Sequence, residues 1–279
     1  MRLADGRRLL KGALRNTVGL AAAIIRRPSV ETPRVLCYHG VCTEPPDEWS
    51  VTPAQLRAHM AELVTNANPV SLDDVVAWHL GERELPPRSV AVSFDDGFVD
   101  LLDTAAPILA EYSVPATVFV AAGLAGGSAP APGYVPSRPL MDWSQVRALV
   151  AAGWDVGSHS VDHPTLIALD DRGVAEQLTG SRDMLEQSLG RPVTLLAYPY
   201  GTASTVGSRD KRAARAAGYR AAFMDMTGAV PRRADAPDGS TWDLPRSKVL
   251  GTDRMFTVRS SIRGGMDVWR RVERRGGGG

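Results

Sequence analysis

The segment Val90-Ala91-Val92-Ser93-Phe94-Asp95-Asp96-Gly97 leads from a short apolar run directly into two adjacent carboxylates. An apolar run of this length is typical of a buried strand in a parallel sheet. A second run ends in Ser158-His159-Ser160-Val161-Asp162-His163, which places two imidazoles four residues apart. In α/β folds, sites form where strands meet the loops at their carboxyl ends. We therefore expect both segments to lie at one edge of a sheet.

These side chains have the chemistry of a metal site. A carboxylate and two imidazoles bind one divalent transition metal and leave positions open for water and substrate. Asp96, His159 and His163 are the candidate ligands, for zinc first, with cobalt, nickel or manganese accepting the same ligand types. Asp95 is then free to act as a general base. The alternatives are a solvated Asp-Asp turn and Asp95 as the N-cap of a following helix.

The rest of the chain alternates short apolar runs with helical periodicity, which indicates βα units around a parallel sheet. The predicted strands are 35–38, 90–94, 116–120, 154–157, 193–197, 221–224 and 244–250. The predicted helices are 53–64, with Thr52 as its cap, 72–80, with Ser71 as its cap, 99–112, 143–152, 171–189 and 208–217. Residues 123–139 are rich in Gly and Pro, and a loop of this length predicts a lid or rim beside the site.

Length and composition limit the function classes. A chain of 279 residues suits one large barrel domain, and 44% hydrophobic residues allow a sizeable core. The 32 basic and 31 acidic residues nearly cancel, which argues against a general polyanion binder, and we expect no nucleic-acid partner. Cys37 and Cys42 make no disulfide framework. We expect Cys37 to be a buried free thiol, with a Cys37–Cys42 bridge as the alternative.

The two ends of the chain differ from its middle. Residues 1–33 are basic, 34–262 carry the predicted domain, and 263–279 form a basic, Gly-rich tail predicted to be disordered. The N-terminal apolar stretch is far shorter than the ~20 residues of a membrane span, and it lacks the pattern of a signal peptide. A cytoplasmic or membrane-peripheral location is therefore expected. Apolar residues recur at helical spacing at Leu10, Leu14, Val18, Ala21 and Ile25. They predict either an amphipathic helix on a membrane face or a helix that packs on the barrel.

Four motifs in this order resemble the polysaccharide deacetylase family, also called the NodB-homology or carbohydrate esterase 4 family. They are Tyr38-His39-Gly40-Val41, Ser93-Phe94-Asp95-Asp96-Gly97, Ser158-His159 through His163-Pro164, and Tyr198-Pro199-Tyr200-Gly201. The similarity covers about residues 35–258. It implies a distorted (β/α)7-type barrel and a metal-dependent amide hydrolase that removes acetyl from N-acetylhexosamine units.

The resemblance also implies roles for single residues. It makes Asp96, His159 and His163 the metal ligands and Asp95 the base. Most members take the general acid from a late Leu-x-His motif, but no histidine follows His163. His39, in the early Tyr-His motif, is therefore the expected acid, as in poly-N-acetylglucosamine deacetylases. The alternative is a histidine that fixes a loop.

Further positions complete the predicted site. Tyr200 is expected to help form the oxyanion site through its backbone N–H. Arg246 is a candidate replacement for a family arginine, missing here, that pairs with the base. Asp142 and Trp143 resemble a groove motif, with Trp143 as a core residue the alternative. His59 and His79, on predicted helices, are expected at the surface.

The predicted function is a deacetylase that acts on an acetylated amino sugar. The alternatives are an ester or non-sugar amide hydrolase on the same barrel, and a non-catalytic carbohydrate-binding relative. Sugar identity, linkage, polymer length and oligomeric state are left open by the sequence.

Overall fold

The computed structural model describes residues 12–21, 32–44, 47–236 and 240–276, which fold as alternating strands and helices. The strands are β1 (Arg34–Tyr38), β2 (Gly40–Val41), β3 (Ser50–Val51), β4 (Asn68–Pro69), β5 (Ser89–Phe94), β6 (Ala116–Val120), β7 (Asp155–Ser158), β8 (Leu195–Ala197), β9 (Ala221–Phe223) and β10 (Ser247–Lys248). The helices are α1 (residues 12–21), α2 (Pro53–Asn66), α3 (Leu72–Leu80), α4 (Ala106–Glu111, preceded by π-type turns at Leu101–Ala105), α5 (Ala122–Ala125), α6 (Trp143–Ala151), α7 (Asp171–Leu189), α8 (Ser208–Ala216), α9 (Met255–Arg263) and α10 (Arg270–Gly276). Short 3₁₀ turns occur at Leu166–Ala168, Arg233–Asp235 and Gly265–Trp269.

A parallel sheet forms the centre of the molecule. In the described residues its strand order is β10-β1-β5-β6-β7-β8-β9, and β4 pairs with β5 beside this path. One segment links the two ends of the path: Leu244 bridges to Phe223 of β9, and Ser247 pairs with Leu36 of β1. The closure is short and irregular, and this distorts the barrel. The prediction of a distorted (β/α)7-type barrel is confirmed.

Local capping sets the helix starts. Thr52 accepts a hydrogen bond from the Gln55 N–H, and the Gln55 side chain accepts one from the Thr52 N–H, which forms a capping box at the start of α2. Ser71 caps α3, and Gly81 ends it in left-handed backbone with φ of 79°. Such caps satisfy the N–H groups that the first helical turn leaves free. Both helices therefore begin at the predicted residues.

Both faces of the sheet are apolar. Successive strand side chains point to opposite faces, so Leu36 and Val92 pack with the surrounding helices, whereas Val35 and Ala91 belong to a separate, inner cluster. Asp95 lies four residues beyond Ala91 and has the same parity. The strand therefore directs Asp95 toward the inside of the barrel.

Helix α1 packs on the barrel through polar contacts. Arg15 is buried, and its guanidinium donates to Asp253 and to the carbonyl oxygen of Lys248. Leu14, from the predicted apolar stripe, is 48% exposed. Leu10 and Ile25 of that stripe lie outside the described residues. Membrane contact stays a prediction, and within the described ranges none of the helices has the length and apolar character needed to cross a bilayer.

The carboxyl-terminal region is helical as far as residue 276. The turns at Gly265–Trp269 lead into α10, and the side chains of Met266 and Trp269 are buried. The prediction of a disordered tail over 263–279 is therefore wrong for residues 264–276, because these two large apolar side chains anchor the segment to the barrel. Residues 277–279 lie outside the described residues.

His59 and His79 are buried, so their predicted surface position is wrong. His59 Nδ1 lies 3.3 Å from the Tyr38 hydroxyl, and His79 Nδ1 donates to the carbonyl oxygen of Pro231 at 2.7 Å. Burial lowers the pKa of His59 to about 4 and also lowers that of His79. Both imidazoles are therefore neutral parts of the helix–sheet packing.

Candidate metal centre and active site

The two predicted motifs meet at the carboxyl edge of the sheet. Asp95 and Asp96 follow β5, and His159 and His163 follow β7, with β6 between these strands. Because the strands are parallel, their carboxyl ends lie on the same side. The structure therefore brings together the four side chains that the sequence singles out.

Left-handed backbone is concentrated at this edge. Asp96, Ser160, His163 and Tyr200 have φ values of 70°, 67°, 61° and 61°. Among the described residues, they are four of the six non-glycine residues with positive φ. Such a conformation costs on the order of 1 kcal/mol or more per residue, and it persists where the surrounding structure holds it, often at functional sites. The left-handed turn at Asp96 lets this carboxylate turn away from Asp95.

The three candidate ligands converge. Their ligand atoms all lie within 4.8 Å of one another, and all three residues are buried. Asp96 Oδ1 is 3.7 Å from His159 Nε2 and 3.4 Å from His163 Nε2. Ligand atoms on one tetrahedral ion lie ~3.3–3.5 Å apart when the bonds are ~2.0–2.1 Å. The two distances from Asp96 are close to this value, so the group is suited to hold one such ion.

The hydrogen bond of His159 and the pKa of His163 also fit a metal. His159 Nδ1 donates to the carbonyl oxygen of Ala197 at 2.7 Å, which leaves Nε2 as the free lone pair facing Asp96. Burial, together with the neighbouring His159, lowers the pKa of His163 to about 4 in spite of Asp96. Neutral imidazoles and a carboxylate are the donors that a divalent transition metal takes.

Arg246 forms a bidentate ion pair with the carboxylate of Asp95. Arg246 Nη1 donates to Asp95 Oδ1 at 2.6 Å and Nη2 donates to Oδ2 at 2.7 Å. The free thiol of Cys37 lies 3.4 Å from Oδ2. Burial alone would raise the pKa of Asp95, but the charge of Arg246, with His159 and His39, holds it well below its usual range. Asp95 is therefore ionised. The alternative that Asp95 caps the following helix does not hold, because the next helical segment begins only at Leu101.

Arg246 itself is fully buried and does not line the pocket. It comes from the segment that closes the barrel, and its pairing with Asp95 is the position expected of a replacement for the missing family arginine. Its contact with the site runs through the carboxylate of Asp95.

His39 reaches the same pocket from the end of β1. Its Nδ1 is buried and has no hydrogen-bond partner in the part of the chain that the structure describes. Strands β2 and β3 pair Gly40 with Ser50, which sets His39 beside Trp49, with the two ring centroids 5.2 Å apart.

Tyr200 lines the pocket, and its ring meets the His163 ring edge-on with centroids 4.9 Å apart. Trp143 does not line it. Trp143 is the first residue of α6 and packs against the core, and exposed Asp142 caps the same helix by accepting from the Gln145 N–H at 2.9 Å. The expectation that Asp142 and Trp143 line a groove is corrected, and the core alternative describes Trp143.

Several residues of the pocket, which encloses about 670 Å³, were missed from the sequence. Tyr134 stacks on His163 with centroids 3.9 Å apart, and Lys248 Nζ lies 2.8 Å from Asp225 Oδ2 on another wall. Tyr134 belongs to the loop at 123–139, which is the predicted rim. Asp225 and Lys248 lie at the carboxyl ends of strands, and this position was the signal that could have found them.

Comparison with known proteins gives one family. Residues 82–222 match the family model described as polysaccharide deacetylase. The poly-β-1,6-N-acetyl-D-glucosamine N-deacetylase of Staphylococcus epidermidis is 24% identical over 200 residues, which covers 68% of this chain and 62% of that protein. A Bacillus subtilis protein named as a polysaccharide deacetylase, YxkH, is 23% identical over 199 residues, which covers 71% of this chain and 66% of that protein. The chain thus spans less than two thirds of the length of these relatives.

Solved structures share the fold. IcaB from Ammonifex degensii superposes with a TM-score of 0.69 at 22% identity and covers 85% of this chain and 98% of that one. The Streptococcus pyogenes deacetylase PplD in complex with acetate gives a TM-score of 0.67 at 22% identity, with coverage of 80% and 94%. At this level of identity the likeness concerns the architecture.

Proposed function

Because this chain belongs to the polysaccharide deacetylase family, we propose that it is a metal-dependent hydrolase that removes N-acetyl groups from the N-acetylhexosamine units of a glycan. The observation that carries the proposal is the convergence of Asp96, His159 and His163 beside the ionised Asp95 in an open pocket. The substrate class follows that of the Staphylococcus epidermidis relative, whose name specifies a poly-N-acetylglucosamine.

We propose zinc as the ion. Three protein ligands of nitrogen and oxygen type, with a fourth position open toward a pocket, are typical of catalytic zinc, although cobalt, nickel and manganese accept the same ligands. When bound, the ion supplies Lewis-acid chemistry that polarises the acetyl carbonyl and lowers the pKa of a water molecule.

Asp95 serves as the proton acceptor in this proposal. Its carboxylate is ionised at neutral pH, because Arg246 holds its pKa low, and both oxygens are oriented by the guanidinium. A carboxylate can accept more than one hydrogen bond at each oxygen. Asp95 can therefore orient a water toward the acetyl carbon while it stays paired with Arg246.

His39 serves as the proton donor to the leaving amine. It lies on the pocket wall, and its Nδ1 has no hydrogen-bond partner among the described residues. No structural hydrogen bond therefore occupies this nitrogen. Tyr200 lies in left-handed backbone beside His163, and in this proposal its N–H stabilises the developing oxyanion, the group that most needs stabilisation in amide hydrolysis.

The test is acetate release by the purified full chain, stripped with chelator and reloaded separately with zinc, cobalt, nickel or manganese. The substrates are β-1,6-linked N-acetylglucosamine oligomers and acetylated xylan, and free amine is measured together with acetate. We expect equal amounts of acetate and amine from the oligomers, only with metal present. Acetate from xylan alone would assign an ester hydrolase, and oligomer binding without any release would assign a binding protein.

A further inference from the structure

A second cavity lies beside the catalytic pocket. It encloses about 240 Å³, against about 670 Å³ for the catalytic pocket, and the two cavities share Trp49 and Lys248 in their walls. These two side chains form the partition, with Lys248 Nζ 5.4 Å from the centre of the Trp49 ring. The two cavities are therefore neighbours on either side of Trp49 and Lys248, and we call the second one the Trp49 cavity.

Three parts of the chain, distant in sequence, form its walls. Helix α1 contributes Gly12 and Arg15, the loop before β3 contributes Glu48, and the C-terminal region contributes Trp269 from the turns and Glu273 from α10. The N- and C-terminal parts lie outside the segment at 82–222 that matches the family model. Helix α1 and the C-terminal region thus add walls to a cavity whose other residues, among them Glu48 and Lys248, lie within the region of family similarity.

The walls are tied together by buried contacts. Arg15 donates to the Lys248 carbonyl oxygen at 2.7 Å and to Asp253 at 2.8 Å, and both Arg15 and Asp253 are buried. Glu273 accepts from the Thr227 N–H at 2.7 Å. These contacts hold α1 against β10 and the C-terminal helix against the segment that follows β9, so the cavity has a defined shape.

The chemistry of the walls matches a sugar ring. Trp49 is partly exposed and offers its indole ring to a ligand, whereas Trp269 is only 2% exposed and forms part of the wall. Indole rings present an apolar surface to the C–H faces of a pyranose. Carboxylates such as Glu48 accept hydrogen bonds from hydroxyl groups. The small volume allows about one ring, whereas the larger catalytic pocket holds the reacting unit.

We propose that the Trp49 cavity is a subsite for a pyranose unit of the same glycan, next to the unit that is deacetylated. The proposal rests on the proposed function, since it names how that site selects a chain over a single sugar. Binding of a remote unit can be used to lower the barrier at the reacting unit, so longer substrates gain in kcat/KM.

The decisive variant is Gly12→Phe, which fills the cavity. A Cβ at Gly12 meets only Thr252 Oγ1, at 4.0 Å, so the backbone accepts a side chain. Ala13→Phe is the matched control, because Ala13 is the next residue of the same helix and is exposed. We measure kcat/KM on β-1,6-linked N-acetylglucosamine oligomers of increasing length, from the dimer upward, with zinc-loaded enzyme.

We expect kcat/KM of the wild type and of Ala13→Phe to rise by ~10-fold with length, equivalent to ~1.4 kcal/mol. Gly12→Phe should lose most of this rise, and Glu48→Ala should lose part of it. An identical rise in Gly12→Phe and Ala13→Phe, or no rise in the wild type, overturns the subsite.

Calorimetric binding of the same oligomers separates failure of the subsite from failure of the proposed function. Absence of acetate from every oligomer in the metal-loaded wild type contradicts the deacetylase. The subsite is then judged by whether oligomer affinity still increases with length and whether Gly12→Phe removes that increase. Equal affinity of the wild type and Gly12→Phe for the longest oligomer counts against the subsite.

Discussion

Two pairs of buried histidines in the described structure have different surroundings. His59 and His79 are as inaccessible to solvent as His159 and His163. Burial lowers the pKa of both His59 and His163 to about 4. Burial and a lowered pKa therefore do not by themselves distinguish a functional histidine from a packing histidine.

Neighbours and backbone make the difference. His59 lies within a regular helix, and its ring nitrogen faces a tyrosine hydroxyl. His163 lies in left-handed backbone, and its Nε2 is 3.4 Å from a carboxylate oxygen of Asp96. A metal site is thus identified by converging lone pairs on strained backbone, and the following experiments test that distinction.

The largest effect should be on metal content. His163→Ala removes one of three ligands, and we expect it to lose its metal during dialysis, whereas His59→Gln retains a nearly stoichiometric amount. Elemental analysis of the two variants, purified side by side, gives the measurement. Full metal content in His163→Ala, or equal loss in both variants, would contradict the assignment of His163 as a metal ligand and His59 as a packing residue.

The next effect concerns the carboxylate that does not bind the metal. Asp95→Asn should retain the metal and lower the deacetylation rate by ~10²–10⁴-fold, as expected on removal of a general base. The control is Asp142→Asn, an exposed cap for which Asn is as suitable as Asp. Rates of Asp95→Asn within a few-fold of the wild type would mean that Asp95 has only a structural role with Arg246.

His39 gives a more selective effect. His39→Ala should slow hydrolysis of an N-acetyl amide by ~10²-fold or more, because the amine must be protonated as it leaves. An activated acetyl ester needs no such proton and should be slowed far less, with metal content unchanged. Equal slowing on both substrates would instead give His39 a packing role, like that of His59.

The smallest effect is on stability and concerns His59. Its pKa is about 4 in the folded chain and 6.5 ordinarily, so between these values the unfolded chain binds more protons. The stabilisation is fully present above pH 6.5 and is lost as the pH falls toward 4, by up to ~3 kcal/mol. Urea denaturation in the presence of chelator should show this loss in the wild type and a shallower one in His59→Gln. Parallel pH dependence in the two proteins would contradict it.

The sequence alone determined the local structure and the ligand chemistry. Caps and periodicity predicted the starts of α2 and α3 and the whole of β6, since these signals act within a few residues. The residue types of Asp96, His159 and His163 indicated a metal centre before any distance was known. Because the strands were expected to be parallel, the Asp95-Asp96 motif and the motif from His159 to His163 were also expected at the same edge of the sheet.

The tertiary structure alone decided which side chains face one another. The sequence offered Arg246 only as a candidate partner of the base, because the pair Arg246–Asp95 joins residues 151 positions apart and depends on closure of the barrel through the segment before β10. His59 shares the inward face of α2 with Leu56 and Leu63, so helical periodicity already carried this signal, but only the packing of α2 showed that a polar imidazole is buried there. The Trp49 cavity likewise depends on α1 and the C-terminal helix meeting at Lys248. Local propensity acts over a turn or a strand, whereas burial and pairing depend on contacts between segments distant in sequence.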